Sequence, residues 1–242
     1  MIIHGEALSV LRSLEAASFD ALITDPPYSS GGMYRGDRMQ STRDKYTATD
    51  HTGASTLPSF GGDNRDGRSF TSWCAEWLTE SYRVLKEGAP VAIFADWRQV
   101  PSVTDALQWG GFIWRGVALW IKPNARPQKG RFTQQAEFIV WGSKGRMPLE
   151  RGVPGLPGSY TYPPPTSARR AHQTEKPLEL MRALVKITEP GGHILDPFAG
   201  SGTTNVAAVL EGYECTGIEL DAHFAGIARK REQEGSDQHD QG

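Results

Sequence analysis

Apolar positions recur along the chain with two periods, and the order in which those periods alternate predicts an α/β protein. Residues 1–3 and 19–24 are short apolar runs of strand length, and between them Ala7, Leu8, Val10, Leu11 and Leu14 fall at helical spacing, predicting a helix over 7–14. Behind residue 28 the apolar signal stops. Residues 29–69 carry Gly31-Gly32, Gly61-Gly62, Gly67 and many Ser, Thr and Asp, which predicts a long mobile loop. Loops of that length are functional lids or disordered segments, and the place where this one starts favours a lid. Trp73, Trp77, Leu78, Tyr82 and Leu85 then form a stripe that predicts a helix over 71–85, stopped by Gly88. A strand over 91–95, a helix over 102–109 and an antiparallel pair of strands over 112–120 and 137–141 come next. Pro154, Pro157, Pro163, Pro164 and Pro165 predict an irregular surface region over 142–172. Pro177 suits the first position of a helix reaching 187, and it is followed by a strand over 193–196, a helix over 203–211, a strand over 213–218 and a helix over 222–232. The polar tail 233–242 reads as disordered. Strands alternating with helices imply a mainly parallel sheet covered on both faces.

The length of 242 residues suits one domain with a large core. No apolar stretch approaches the ~20 residues of a membrane span and no signal-peptide pattern follows Met1, so a cytoplasmic protein is expected. Cys74 and Cys215 are the only cysteines, which suggests buried thiols rather than a disulfide framework or a metal site. The formal net charge of -2 argues against a uniformly basic nucleic-acid binder, but the charge is unevenly spread. Between 122 and 176 stand Lys122, Arg126, Lys129, Arg131, Lys144, Arg146, Arg151, Arg169, Arg170 and Lys176, against Glu137, Glu150 and Glu175. A solvated face is the ordinary meaning of such a run. Contact with nucleic-acid phosphates is the other, and it depends on whether the chain has a matching active site.

Two segments carry candidate chemistry. Asp25-Pro26-Pro27-Tyr28 closes the buried strand 19–24, and its prolines stiffen the backbone so that a carboxylate and a carbonyl can address one point. Exocyclic amines of adenine and cytosine are poor nucleophiles because their lone pair is delocalised into the ring. Two acceptors holding the N–H bonds aim that lone pair and stabilise the positive charge that grows as a methyl group arrives. Tyr28 offers a stacking face for a base turned out of the duplex. An ordinary Asp-Pro-Pro turn with a packed Tyr is the structural alternative. Downstream, the strand 193–196 runs through Asp196-Pro197-Phe198 into Gly200-Ser201-Gly202, a turn that lets a ligand approach the backbone. The phosphate-binding loop needs Lys after its last glycine, where Thr203 stands, and the dinucleotide fingerprint needs a small residue where Asn205 stands. Glu219 ends the next strand 19 positions beyond Gly200, close to where a carboxylate meets ribose hydroxyls in nucleoside-binding sheets. A nucleoside cofactor without essential phosphates fits best, with a cap on the following helix as the structural alternative for Glu219.

With both segments in hand, the chain resembles the amino-group DNA methyltransferases that use S-adenosylmethionine. The Asp-Pro-Pro-Tyr motif precedes the Phe-x-Gly-x-Gly motif, a circularly permuted order similar to the beta group of these enzymes; His172-Gln173-Thr174-Glu175-Lys176-Pro177 and Trp120-Ile121-Lys122-Pro123 are similar to two further motifs. The resemblance implies a Rossmann-like methyltransferase fold with a mainly parallel seven-stranded sheet and an antiparallel late strand. It assigns Asp25, Pro26, Pro27 and Tyr28 to the target amine. The cofactor falls to Phe198, Gly200, Gly202 and Glu219, with Asp196, Ser201, Thr203 and Asp221 around them, Thr174 and Lys176 at the methionine end, and Glu6 where relatives usually have the shorter Asp toward the adenine. It places target recognition over 124–171, with Lys122, Arg126, Lys129, Arg131, Arg169 and Arg170 as candidate contacts to double-stranded DNA. So short a region suggests a short site or a homodimer sharing the DNA. Asp rather than Ser at the first catalytic position favours adenine N6 over cytosine N4. A non-catalytic DNA-binding module and a nicotinamide oxidoreductase are the other readings; the intact motifs weigh against the first and the missing third glycine against the second.

Overall fold

The computed structural model describes residues 1–28, 66–127, 129–165 and 175–239. Its elements, in chain order, are β1 (Ile2–His4), α1 (Ala7–Ser13), β2 (Ala21–Thr24), α2 (Gly67–Val84), β3 (Pro90–Ala95), α3 (Val100–Trp109), β4 (Ile113–Ile121), β5 (Ala136–Ser143), β6 (Ser159–Thr161), α4 (Leu178–Val185), β7 (His193–Asp196), α5 (Thr203–Leu210), β8 (Glu214–Glu219) and α6 (Ala222–His239). They build one mixed sheet in the order β1-β8-β7-β2-β3-β5-β4-β6. β5 is antiparallel to both of its neighbours, while every other adjacent pair is parallel.

The central strands are buried on both faces because their alternate side chains feed two cores. Leu22, Val91, Ile93, Ala95 and Val140 point to one face, where Leu11 of α1, Phe70 and Trp77 of α2 and Leu107 of α3 cover them. Ala21, Ile23, Ala92, Phe94 and Ile139 point to the other, under Leu180 and Met181 of α4 and Ala207 of α5. The two cysteines are free, buried thiols, one in each core.

Several boundaries differ from the sequence expectation. The sheet has eight strands rather than seven. The added β6 lies inside the stretch expected to be irregular: Leu119 N–H donates to Gly158 O at 3.0 Å, Trp120 Nε1 donates to Tyr162 O at 2.8 Å, and Tyr160 is buried. Pro157 and Pro163 bracket it and hold it to three residues. Helix α2 begins at Gly67 rather than 71, because the Asp66 carboxylate accepts from Arg68 N and Ser69 N and caps it. The rest of the expected loop, 29–65, lies outside the described residues. The expected tail from 233 is instead helical as far as His239. Gly235 within that extension is buried facing Val206, and just before it Glu232 joins the Met1 amino group at 2.5 Å and Asn205 Nδ2 at 2.9 Å. Among the described residues no helix is long and apolar enough to cross a membrane.

Candidate active site

The connection from β2 to β3 runs through α2 on one face of the sheet, and that from β7 to β8 through α5 on the other. The carboxyl ends of β2 and β7 therefore part at a topological switch point, where open α/β sheets bind ligands. Residues 25 and 196 stand at those two ends. The strands are in direct register, Ala21 opposite Ile194 and Leu22 opposite Leu195, and Thr24 Oγ1 donates to Asp196 Oδ1 at 2.6 Å. One open cleft is lined by Asp25, Lys176, Asp196, Phe198, Gly200, Ser201 and Thr203. Residues about 170 positions apart in sequence thus share a single cavity.

At the β2 end both carboxylate oxygens of Asp25 are engaged: Oδ2 accepts from Lys176 Nζ and Oδ1 from the Tyr28 hydroxyl. Lys176 is almost fully buried, lies 3.2 Å from the Tyr28 oxygen and 3.4 Å from Glu137 Oε2, and sits over the Phe94 ring at 4.9 Å. Glu137 in turn accepts from Lys122 Nζ. Burial works against the Lys176 ammonium, and the charges of Asp25 and Glu137 outweigh it, so its pKa lies above the ordinary lysine value. Burial lifts the Asp25 carboxyl above its ordinary value against the pull of Lys176, with Glu137 adding to the lift. The Tyr28 phenol is pushed well up by burial and then by the Asp25 charge, so it stays protonated and serves as a donor.

At the β7 end the chain turns through Gly200 (φ 53°) and Gly202 (φ 81°), left-handed conformations that favour glycine. A Cβ at Gly200 would meet nothing within 4 Å, whereas one at Gly202 would strike Ala228 Cβ at 2.8 Å. One glycine keeps the cleft open and the other lets α6 approach. Glu219 Oε2 accepts from Gly200 N at 2.9 Å and Oε1 from Asp221 N at 2.8 Å, which fixes the carboxylate beside the glycine turn. Burial raises its pKa, with these two amides opposing. Asp196 is fully buried and burial pushes it up to about 6, against hydrogen bonds from Thr204, Thr24 and the Phe198 amide. Phe198 packs edge-on to Trp77 at 5.2 Å and beside Trp73 at 5.3 Å.

The remaining expected positions scatter. Glu6 caps α1, its oxygens accepting from Leu8 N at 3.0 Å and Ser9 N at 2.8 Å. Asp221 caps α6 through His223 N at 2.8 Å, which leaves Glu219 without the capping role considered for it. Lys122 sits at the root of the β4–β5 hairpin in its ion pair with Glu137, while Arg126, Lys129 and Arg131 are exposed along the hairpin with Phe132. Because Ala95 pairs with Phe138, that hairpin rises at the same end of the sheet as Asp25. Thr174, Arg169 and Arg170 lie outside the described residues.

Two residues that bind the site together carry little signal in the sequence. Arg231 of α6 donates to Ser201 O at 2.9 Å, to Ser201 Oγ at 2.8 Å and to Glu175 Oε1 at 2.6 Å, tying the glycine turn to the segment that carries Lys176. Glu137 stands out from the residues only as a lone acid in the apolar run 136–141.

The family model described as DNA methylase matches residues 19–164 and 153–230, so it covers both ends of this cleft. The chain belongs to the DNA methylase family. This methylase is 30% identical over 237 residues to the "Putative methylase YubD" of Escherichia coli (strain K12), covering 94% of this chain and 88% of that protein. It is 28% identical over 251 residues to the "Type II methyltransferase M2.DpnII" of Streptococcus pneumoniae, covering 96% and 88%. Its fold matches the crystal structure of the M1.HpyAVI-SAM complex with a TM-score of 0.66 at 24% identity, over 96% of this chain and 98% of that one.

Proposed function

We propose that this methylase transfers a methyl group from S-adenosylmethionine to the N6 amine of an adenine flipped out of duplex DNA. The observation that carries the reading is the shared cleft, which sets an amine-accepting carboxylate within one cavity of a glycine turn flanked by an acid. The residues present fit the cofactor: the open space over Gly200 admits a ligand against the backbone, and Glu219 offers a fixed acceptor for ribose hydroxyls. When bound, S-adenosylmethionine supplies an electrophilic methyl on a sulfonium. Asp25 accepts the N–H of the target amine, holds its lone pair toward the cofactor end and stabilises the developing positive charge. Tyr28 stacks on the flipped base, and Phe198, wedged against Trp73 and Trp77, walls the cavity between the two ligands. The exposed cations of the β4–β5 hairpin meet DNA phosphates, and the small hairpin suits a short site or two copies sharing one duplex. Asp in place of Ser at the first catalytic position supports adenine over cytosine.

Incubation of the protein with unmethylated duplex DNA and S-adenosylmethionine, followed by nucleoside digestion and mass spectrometry, tests this. N6-methyldeoxyadenosine is expected, and Asp25→Ala should abolish it while leaving cofactor binding in place. N4-methyldeoxycytidine would keep the mechanism and change the base. Loss of cofactor binding together with turnover in Asp25→Ala would make Asp25 structural.

A further inference from the structure

The resting site presents a conflict. Both oxygens of Asp25 already accept hydrogen bonds, from Lys176 and from Tyr28, so a target amine competes with a buried cation and a phenol for this carboxylate. Tyr28 is neutral, so giving up its bond to Asp25 leaves no buried charge unpaired. Lys176 cannot simply leave, because a buried ammonium deprived of its carboxylate is strongly disfavoured.

Glu137 resolves the conflict. Its Oε1 is taken by Lys122, while Oε2 is buried and already pairs with Lys176 Nζ at 3.4 Å, with no other partner among the described residues. The ammonium thus has a second, more loosely held carboxylate beside it as well as Asp25. We propose that Glu137 is a positioning residue for methyl transfer: it takes over the Lys176 ammonium when the target amine claims Asp25. The proposal rests on the methyl-transfer reading above.

The charges support the handover. Lys122, Glu137, Lys176 and Asp25 are two cations and two anions in a row, so the cluster is neutral before and after Lys176 moves. Once it has moved, Asp25 alone faces the amine as positive charge builds there, and its carboxylate acts at full strength. Among the described residues, the other ionisable groups that act on this cluster are Tyr28, Asp96 and Asp196 on the neighbouring strand, and none of them is a cation that could substitute for Lys176. The Glu137 carboxyl is kept ionised for this role: burial would raise it, and Lys176 and Lys122 together hold it below the usual range.

Glu137→Gln keeps the shape and removes the charge. In cofactor-free enzyme the pKa of Asp25, followed by carboxyl ¹³C shifts, should fall by about one unit, because a like charge is gone and Lys176 is left to Asp25 alone. Single-turnover methyl transfer should slow by about tenfold or more, with cofactor and DNA dissociation constants held within roughly threefold. Glu137→Asp should recover part of the rate and, if the Gln variant fails to fold, should show the same pKa direction in smaller measure. An Asp25 titration that stays in place, a rate within roughly twofold of the parent, or a cofactor affinity that falls as far as the rate overturns the proposal. The titration needs no substrate, so it reads the link between Glu137 and Asp25 even if product analysis removes the adenine assignment.

Discussion

The two glycines of the β7 turn should fail in different ways when each receives one methyl group. At Gly202 an alanine meets two penalties. Its φ of 81° is left-handed, which costs an L-residue about 1–2 kcal/mol. Its Cβ would lie 2.8 Å from Ala228 Cβ and 3.0 Å from Ala228 Cα, atoms of a helix that cannot swing aside, and overpacking of this kind costs about 1–3 kcal/mol. Alanine returns about 0.4–1 kcal/mol by restricting the unfolded chain, which leaves a net loss of about 2–4 kcal/mol. At Gly200 only the backbone penalty applies, since the new methyl meets nothing within 4 Å, and the net loss is about 1.6 kcal/mol or less. That methyl stands in the cleft, however, where it should weaken cofactor binding by about tenfold, equivalent to about 1.4 kcal/mol. Urea unfolding and calorimetric titration with S-adenosylmethionine separate the two. With a slope of about 3 kcal/mol/M, Gly202→Ala should lower the urea midpoint by about 1 M and Gly200→Ala by about 0.5 M at most. Equal midpoint shifts, or a Gly200→Ala protein that binds cofactor like the parent, would refute the division of labour between packing and ligand approach.

Asp196 supplies a pH test. Its folded pKa of about 6 exceeds the ordinary 3.8, so the folded state holds the proton more tightly and stability falls as pH rises from about 4 to about 6, then stays level. The stability of Asp196→Asn relative to the parent should therefore improve by roughly 3 kcal/mol between pH 4 and pH 7, and a pH-independent difference in urea melts would show that burial is not the cause. Arg231→Met removes charge-assisted bonds to Ser201 and Glu175 and should weaken S-adenosylmethionine binding by about tenfold; an unchanged dissociation constant would mean that α6 does not hold the turn. Replacing Arg126, Lys129 and Arg131 together with Ala should reduce the slope of log affinity for DNA against log salt by about 0.9 for each phosphate that is no longer neutralised, and an unaltered slope would clear the hairpin of phosphate binding.

Element order and type were legible in the residues because they depend on neighbours a few positions away. Apolar runs such as Leu22-Ile23 and Ile194-Leu195, the stripe of Trp73, Trp77 and Leu78, and the Gly200-Ser201-Gly202 turn each announce their local geometry. β6 was not legible, because three residues between prolines carry no period and the strand exists only through β4. The last turns of α6 read as a polar tail, and the partners of Gly235 within them and of Glu232 just before them, Val206, Asn205 and the Met1 amino group, are more than 25 positions away in sequence.

The same division runs through the site. By itself the sequence determined which chemical groups are available, Asp25 with Tyr28 on one strand end and the glycine turn with Glu219 near another, since each set is local and its turn chemistry is carried by its own residues. Only the tertiary structure decided that β2 and β7 lie side by side, so that the two sets open into one cleft, that Lys176 meets Asp25 across 151 positions rather than serving only the cofactor end, and that Glu137 stands behind it. The physical reason is that pairings across a sheet follow from strand order and the burial of charge, and neither leaves a periodic trace in the chain.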